Sequence, residues 1–352
     1  MKKIINNTLR AIKKNINRVI NVFKINSIIF QKSYYPELKR KNIIKRFFDN
    51  LFWVLKYSEL NGFYNLYGFD VYSKRNKKNY ISYYEFRVER NKKNKLDDDY
   101  NYVCLLRDKY LFSKYLCAND IKTVKNSAII RNGIFYDTNF NIIENYKELF
   151  NEEKFIKKID GECAQGVFHT SNITDYENVS SNLKKGLYVV QKKIEQHEKM
   201  SKLNAKSVNT IRIVTVRNKD NISVLCSGLR VGTNISGNVD NWAAGGLYVE
   251  IDEKGKLKKY GFAKPKYGGK FEVHPDTKIK FEGYEIPYYN DVVNLVTRAH
   301  KTFYNIQSIG WDVAITKNGP ILIEGNDNWE ISLMQVNHGL KNEWRNSLNE
   351  NS

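Results

Sequence analysis

The chain has 352 residues, 41% hydrophobic and 13% aromatic, too many for one compact core and enough for two or three subdomains. Its 58 lysines and arginines against 38 acids, a net charge of +20, point to an anionic partner: nucleotide, phosphate, nucleic acid, acidic glycan or membrane surface. A membrane-spanning protein is excluded by the lack of any apolar run near ~18–20 residues, a secreted one by the lack of an h-region and cleavage site, and a metal-thiolate or disulfide framework by four scattered cysteines, which leaves a cytoplasmic protein with free thiols.

Residues 1 to about 60 are basic and helical by pattern. Ile5, Leu9, Ile12, Ile16, Ile20 and Phe23 recur at spacings of three and four, with most lysines and arginines off that stripe, and a second helix is expected over about 40–60. Such a stripe suits either a helix packed on the body of the protein or one lying in the interface of an anionic membrane. Residues 74–99 are charge-dense, with a strand-like or helical ISYYEFRVE (81–89) between two charged runs, and read as polar surface and loops. From Tyr102 helical and strand-like patterns alternate to about 200, residues 207–250 are strand-rich, and 289–306 are helical. The expected parts are a body beginning at 61–125, a small subdomain over 126–203, a C-terminal subdomain over 204–342 and a tail from 343 to 352. Mixed helices and strands with long-range pairing imply an α+β fold.

Four stretches carry chemistry. In FIKKIDGECAQGV (155–167) a short strand delivers Lys157 and Lys158 to a loop holding Gly161 and Gly166, whose backbone N–H groups can approach phosphates. Residues 187–197 read as a buried strand followed by polar residues through His197, and a strand end with free backbone groups can hold an adenine. Arg212, after Asn209, interrupts an apolar strand, and a guanidinium there suits bidentate phosphate or carboxylate recognition, or a plain ion pair. GWDVAITKNGPILIEGNDN (310–328) reads as a hairpin with a polar turn. It brings Asp312 beside Glu324 and Asn326, two carboxylates and an amide oxygen suited to Mg²⁺.

The order of these pieces, with LRDKYLFSKYL (106–116), YVVQKKIEQH (188–197), SVNTIRIVT (207–215) and VDNWAAGG (239–246), resembles the ATP-grasp superfamily, and within it the sugar-transfer associated group. The resemblance implies ATP clamped between two α+β subdomains. Lys109 and Lys157 would bind phosphates, with Lys158 as the alternative if the register slips by one. The Gly161–Gly166 loop would close over them. Gln191, Lys192 and Ile194 would line the adenine pocket, with Gln196, His197 and Asn209 near the nucleotide. Asp312, Glu324 and Asn326 would hold Mg²⁺, and Arg212 and Arg230 would face the transferred phosphoryl group. The sequence departs from the family at Lys158, where proline is usual, and at Gln191, where an acid is usual.

The chemistry so implied is ATP-dependent joining of a carboxylate to an amine through an acylphosphate, with a uronic-acid-type sugar or glycan precursor and an amino acid or amine as partners. It requires positioning and charge neutralisation, not a protein nucleophile. Cys163 has no partnered histidine nearby. A kinase-like outcome on a hydroxyl and a basic binding module are the alternatives, although no nucleic-acid-binding pattern appears. Peripheral contact with the inner face of a membrane through the N-terminal helix is a further expectation.

Overall fold

Two antiparallel sheets organise the chain. The structure, a computed structural model, describes residues 14–73, 75–94, 102–161, 166–219 and 221–349. The smaller sheet contains β1 (Asn126–Arg131), β2 (Ile134–Tyr136), β3 (Lys154–Lys158), β4 (Val167–Thr170) and β5 (Leu187–Lys192), in the order β2-β1-β5-β3-β4. The larger contains β6 (Thr210–Asn218), β7 (Asn221–Val231), β8 (Leu247–Ile251), β9 (Leu257–Ala263), β10 (Lys270–Phe271), β11 (Ser308–Thr316) and β12 (Gly319–Asn326), in the order β10-β9-β8-β7-β6-β11-β12. Each pairing within the two sheets is antiparallel.

Both faces of the larger sheet are covered, and strand alternation sorts the residues between them. Ile211 and Ile213 of β6, with Ile309, Trp311, Val313 and Ile315 of β11, face a core roofed by the Tyr289–Thr302 helix. Val214 and Val216 point the other way, into a second core of aromatics from the N-terminal part and the C-terminal end. Arg212 and Asp312 lie on that second face too. A third core sits under the smaller sheet, built around Ile130, Phe135, Phe150 and Val190.

Two stretches are more ordered than polar surface and tail suggest. Within 74–99, where ISYYEFRVE reads as strand-like or helical, Ser82 caps a helix, Tyr83–Lys93, whose Phe86 and Arg90 are fully buried. Lysines and arginines line the outer turns of this helix, so composition averaged over the window hides its two inward positions. Likewise residues 343–352 are not a loose tail as far as they are described. The helix Lys341–Asn349 buries Trp344 against Phe86 and Trp329, with ring centroids 5.0 and 5.7 Å away.

In the N-terminal part a helix runs over residues 14–23, and Asn42 caps a second, Ile43–Tyr57. Ile5, Leu9 and Ile12 lie outside the described residues; Ile16, Ile20 and Phe23, the remainder of that stripe, are exposed instead of packed on the body. No helix among the described residues is long and apolar enough to cross a membrane.

Candidate functional site

The hairpin of β11 and β12 builds the centre of the site. Its turn closes at Gly319, whose φ of +97° lies in the left-handed region that glycine adopts without strain. Pro320 is tolerated because β12 is the edge strand. The register pairs Asp312 with Glu324 and Gly310 with Asn326, while Val313 pairs with Leu322, so a bulge leaves Ile323 extra. That bulge has a chemical consequence. Leu322 and Glu324 are two apart and would otherwise share a face, yet the extra residue sends Leu322 into the core and Glu324 toward Asp312. A side chain at Gly325 is barred, since its Cβ would stand 2.8 Å from Leu106 and 3.0 Å from Trp311.

On its other side β11 pairs with β6, which sets Arg212 opposite Asp312. The guanidinium grips the carboxylate with both ends, Nε to Oδ1 at 2.6 Å and Nη2 to Oδ2 at 3.0 Å. Arg230 arrives from β7 and donates to the same Oδ2 at 2.9 Å and to Thr210 Oγ1 at 2.9–3.0 Å. Burial by itself would raise the Asp312 pKa; Arg212 and Arg230 override it and bring it down to about 2. Arg230 is held charged despite its burial by Asp240, Asp312 and Glu324.

Glu324 is less well supported. Among the described residues the ion pairs of this cluster go to Asp312 and Asp240, none to Glu324, although Arg212 and Arg230 favour its charge from further off. Burial raises its pKa, and the neighbouring Asp312 carboxylate raises it further. Asn326 donates to Glu324 Oε1 at 3.4 Å and to the Gly310 carbonyl at 3.3 Å, which leaves its own side-chain oxygen as an acceptor. A carboxylate kept from cationic partners beside a second carboxylate and an amide oxygen is a donor set that fits a hard divalent cation. No group of three or more His, Cys, Asp or Glu able to hold a metal occurs among the described residues. A cation here therefore needs Asn326 and oxygens from its own ligand beside the two acids.

The smaller sheet contributes a second group. It carries Lys157, whose pKa burial lowers, while Glu324 opposes the shift and Lys109 adds to it. Lys109 opens the helix Lys109–Ala118, capped by Asp108, and its Nζ donates to the Gly161 carbonyl at 2.6 Å. Forty-eight positions apart in sequence, the two lysines face one another's fields because the Lys109 backbone N–H also bonds to the Ile159 carbonyl at 3.1 Å. Lys158, on the opposite side of β3, is exposed and pairs with Asp160 at 3.1 Å. Residues 162–165 of the glycine loop, with Cys163, lie outside the described residues; Gly161 and Gly166 bracket them.

The nucleotide-pocket candidates divide. Gln191 is buried, its amide nitrogen bonded to Asn126 at 2.9 Å. Lys192 points outward to Glu152 at 2.8 Å, so only its backbone borders the strand end, and Ile194 is partly buried beyond it. His197 caps the following turn through Nδ1 at 3.1 Å and its N–H bonds to Ile315. Gln196 and Asn209 are another matter. The Gln196 amide donates to the carbonyls of Asn204 and Ser207, both at 2.8 Å, and accepts from Asn209. Asn209 donates to Met200 and Asn204 at 2.8 Å and accepts from Gly232. Their side chains are engaged in clamping the start of β6.

Three residues were not singled out by sequence reasoning. Asp240 is buried and bonds to the N–H of Thr210 at 3.0 Å and to its hydroxyl; burial raises its pKa and Arg230 opposes that. Arg107 forms a bidentate pair with Asp327 at 2.7–2.9 Å, just past the hairpin, and the Arg90 guanidinium bonds to Asn328 at 2.6 Å. These contacts fix the exit of β12 and so the aim of Glu324 and Asn326. Asp240 and Arg107 each stand inside a quoted motif, VDNWAAGG and LRDKYLFSKYL; the signal was present, and their partners, Thr210 30 positions and Asp327 220 positions away, were not.

The family model for sugar-transfer associated ATP-grasp proteins matches residues 89–348. No curated protein sequence matches the chain. Among solved structures it is similar to an L-amino acid ligase from Bacillus licheniformis, with 14% identity over 70% of this chain and 49% of that one and a TM-score of 0.41. It is similar also to D-alanyl-alanine synthetase A from Vibrio cholerae, with 11% identity over 71% and 66% and a TM-score of 0.42. A third is N5-carboxyaminoimidazole ribonucleotide synthetase from Thermotoga maritima, with 14% identity over 64% and 42% and a TM-score of 0.38. The chain spans about half the length of the first and third of these.

Proposed function

The chain belongs to the sugar-transfer associated ATP-grasp family, and from that premise we propose that it is an ATP-dependent carboxylate–amine ligase. The observation that carries this reading is the strand register that sets Asp312 between Arg212 and Glu324, with Arg230 bonded to the same carboxylate. Such a cluster has charge of both signs, held rigidly, and no nucleophile; it fits phosphoryl transfer by positioning and electrostatics.

In the proposed reaction a carboxylate oxygen of the first substrate attacks the γ-phosphorus of ATP. The bond from that phosphorus to the β–γ bridging oxygen breaks, ADP leaves, and an acylphosphate forms. The amine nitrogen of the second substrate then attacks the acyl carbon, phosphate departs with the C–O electrons, and the ammonium loses its proton to give an amide. Lys109 and Lys157 hold the phosphate chain, and backbone groups at the end of β5 take the adenine beside Gln191, Lys192 and Ile194. Arg212 and Arg230, fixed by Asp312, present N–H groups to the phosphoryl oxygens as charge builds there. Asp312, Glu324 and Asn326 would hold Mg²⁺, which would supply neutralisation of the phosphate charge.

The substrate class follows from the family's association with sugar transfer: a uronic-acid-type sugar of a surface polysaccharide or its precursor, and an amino acid or amine. ADP release screened over uronic acids against amino acids, with mass detection of products, tests it. Amide product and hydroxylamine-trappable acylphosphate are expected. ADP formation with a phosphorylated hydroxyl and no acylphosphate would replace the ligase with a kinase. A cytoplasmic enzyme at the inner face of a membrane is part of the same reading.

A further inference from the structure

The N-terminal part exposes apolar side chains in a pattern that neither the family match nor the ligase chemistry uses. On the helix over 14–23, Ile16, Val19, Ile20 and Phe23 are exposed, Phe23 to 81%. On the Ile43–Tyr57 helix, Ile44, Phe48, Phe52 and Leu55 are exposed, Phe52 to 68%. Spacings of four, four and three put those four on one side of that helix, opposite buried Val54 and Asn50. The helices are held side by side. Arg18 donates to Ser58 Oγ at 2.9 Å, Asn21 to the Ser58 carbonyl at 3.0 Å, and Val22 packs with Ile25, Ile29 and Val54. The apolar positions are thus outward on a fixed two-helix platform, with a sealed core beneath.

Charge decides what covers them. Residues 14–60 contain ten lysines and arginines against three acids, Glu37, Asp49 and Glu59, a balance of +7. Lys45 and Lys56 border the outward side of the second helix by the 100° step of an α-helix (about 3.6 residues per turn). Beside them opens a cavity of about 510 Å³ lined by Phe52, Trp53, Lys56, Lys77, Lys78 and Lys341, with Asp49 its one carboxylate among the lining residues. Asp49 is already engaged by Lys41 at 2.5 Å and Lys77 at 3.2 Å. A second copy of the chain is a poor cover, because a two-fold contact would set each basic rim against its twin. An anionic lipid surface satisfies both features: acyl chains take the apolar side chains, and phosphate headgroups take the lysines, whose stems reach along the boundary.

We propose that the helices over 14–23 and 43–57 form a two-helix platform that docks the protein on an anionic membrane surface, with the Lys56–Lys77–Lys78–Lys341 cavity as a headgroup site. This gives the membrane contact of the proposed reading a named surface and does not depend on the ligase chemistry. Each basic residue close to such a surface strengthens binding roughly fivefold, and salt weakens it.

Flotation of the full chain with vesicles tests it. The protein is expected to float with vesicles of equal parts phosphatidylglycerol and phosphatidylcholine, to stay behind with phosphatidylcholine alone, and to be released by high salt. F48D/F52D and, separately, I20D/F23D should each lower partitioning by about tenfold or more, with circular dichroism and melting temperature near those of the unaltered protein. K56E/K78E should lower it while sparing any residual binding that is insensitive to salt. Undiminished flotation of both aspartate pairs, or equal binding to neutral vesicles, overturns the proposal. So does a concentration-dependent dimer, seen by light scattering, that F48D/F52D dissolves while the unaltered protein ignores vesicles.

Discussion

The two sheets meet the site in opposite ways. The larger sheet brings charges that satisfy one another: Asp312 is gripped by Arg212 and Arg230, and Arg230 by Thr210 and Asp240. The smaller sheet brings Lys157, desolvated and without a carboxylate at ion-pair distance among the described residues, its charge favoured by Glu324 and opposed by Lys109. One side is a framework that is rigid before any ligand arrives; the other is a cation whose burial is unfavourable until an anion joins it. Glu324 mirrors Lys157: a carboxylate on the rigid side whose charge is opposed by burial and by Asp312. Preorganisation and readiness are thus divided between the sheets, and substitutions can separate the two.

The largest effect is expected at Asp312. Asp312→Ala leaves two buried guanidinium groups facing each other, which costs about 3–5 kcal/mol. Chemical denaturation should register that loss, and ADP release should vanish with it; a stable, active variant would mean the arginines are not held as described. The pH dependence has a definite sign. Asp312 has a depressed pKa in the folded state, about 2, so its contribution is present above the ordinary carboxylate value and disappears as pH falls through that value toward 2.

Glu324 behaves in the opposite sense. Its folded pKa is raised, so its charged form opposes folding at neutral pH. Glu324→Gln should therefore melt at a higher temperature than the unaltered protein at pH 7, and the gap should close as acid protonates Glu324. ADP release should be lost nonetheless, as should any stabilisation by added Mg²⁺. A variant with lower melting temperature at neutral pH, or with full turnover, would contradict the contrast drawn between the two acids.

The two lysines of β3 sharpen the comparison. Lys157→Ala should raise the ATP concentration needed for half-maximal rate by about 10–100-fold, the weight of a charge-assisted contact of ~1.5–3 kcal/mol. Lys158→Ala removes an exposed pair with Asp160 and should change it by less than about fivefold. Reversal of that order would put the phosphate contact on the outer face of the strand. The smallest kinetic effect is expected at Gln196. Gln196→Ala unbinds the carbonyls of Asn204 and Ser207 and should cost about 1–3 kcal/mol of stability, with the ATP requirement hardly moved. A large rise in that requirement at unchanged stability would return Gln196 to the nucleotide.

The sequence by itself determined the pieces whose signal is local. A polar turn between two apolar runs made the hairpin, alternation gave β6 its buried isoleucines and outward Arg212, and the order of lysine, glycine loop and acid pair carried the family. Local periodicity has no access to partners far along the chain, and there the tertiary structure decided. It buried Phe86, Arg90 and Trp344 in stretches that read as loop and tail, because a charged helix needs few inward positions to dock. It turned Gln196 and Asn209 into a clamp, since their partners are backbone carbonyls that only the fold brings near. It left Ile16, Ile20 and Phe23 in solvent although their spacing suits a core, because Val22 and Ile25 already fill the groove above Val54. The bulge at Ile323 is the sharpest instance. Leu322 and Glu324 are two residues apart in a strand, and period two alone would aim them alike; one extra residue in the β11–β12 register sends one to the core and the other to the site.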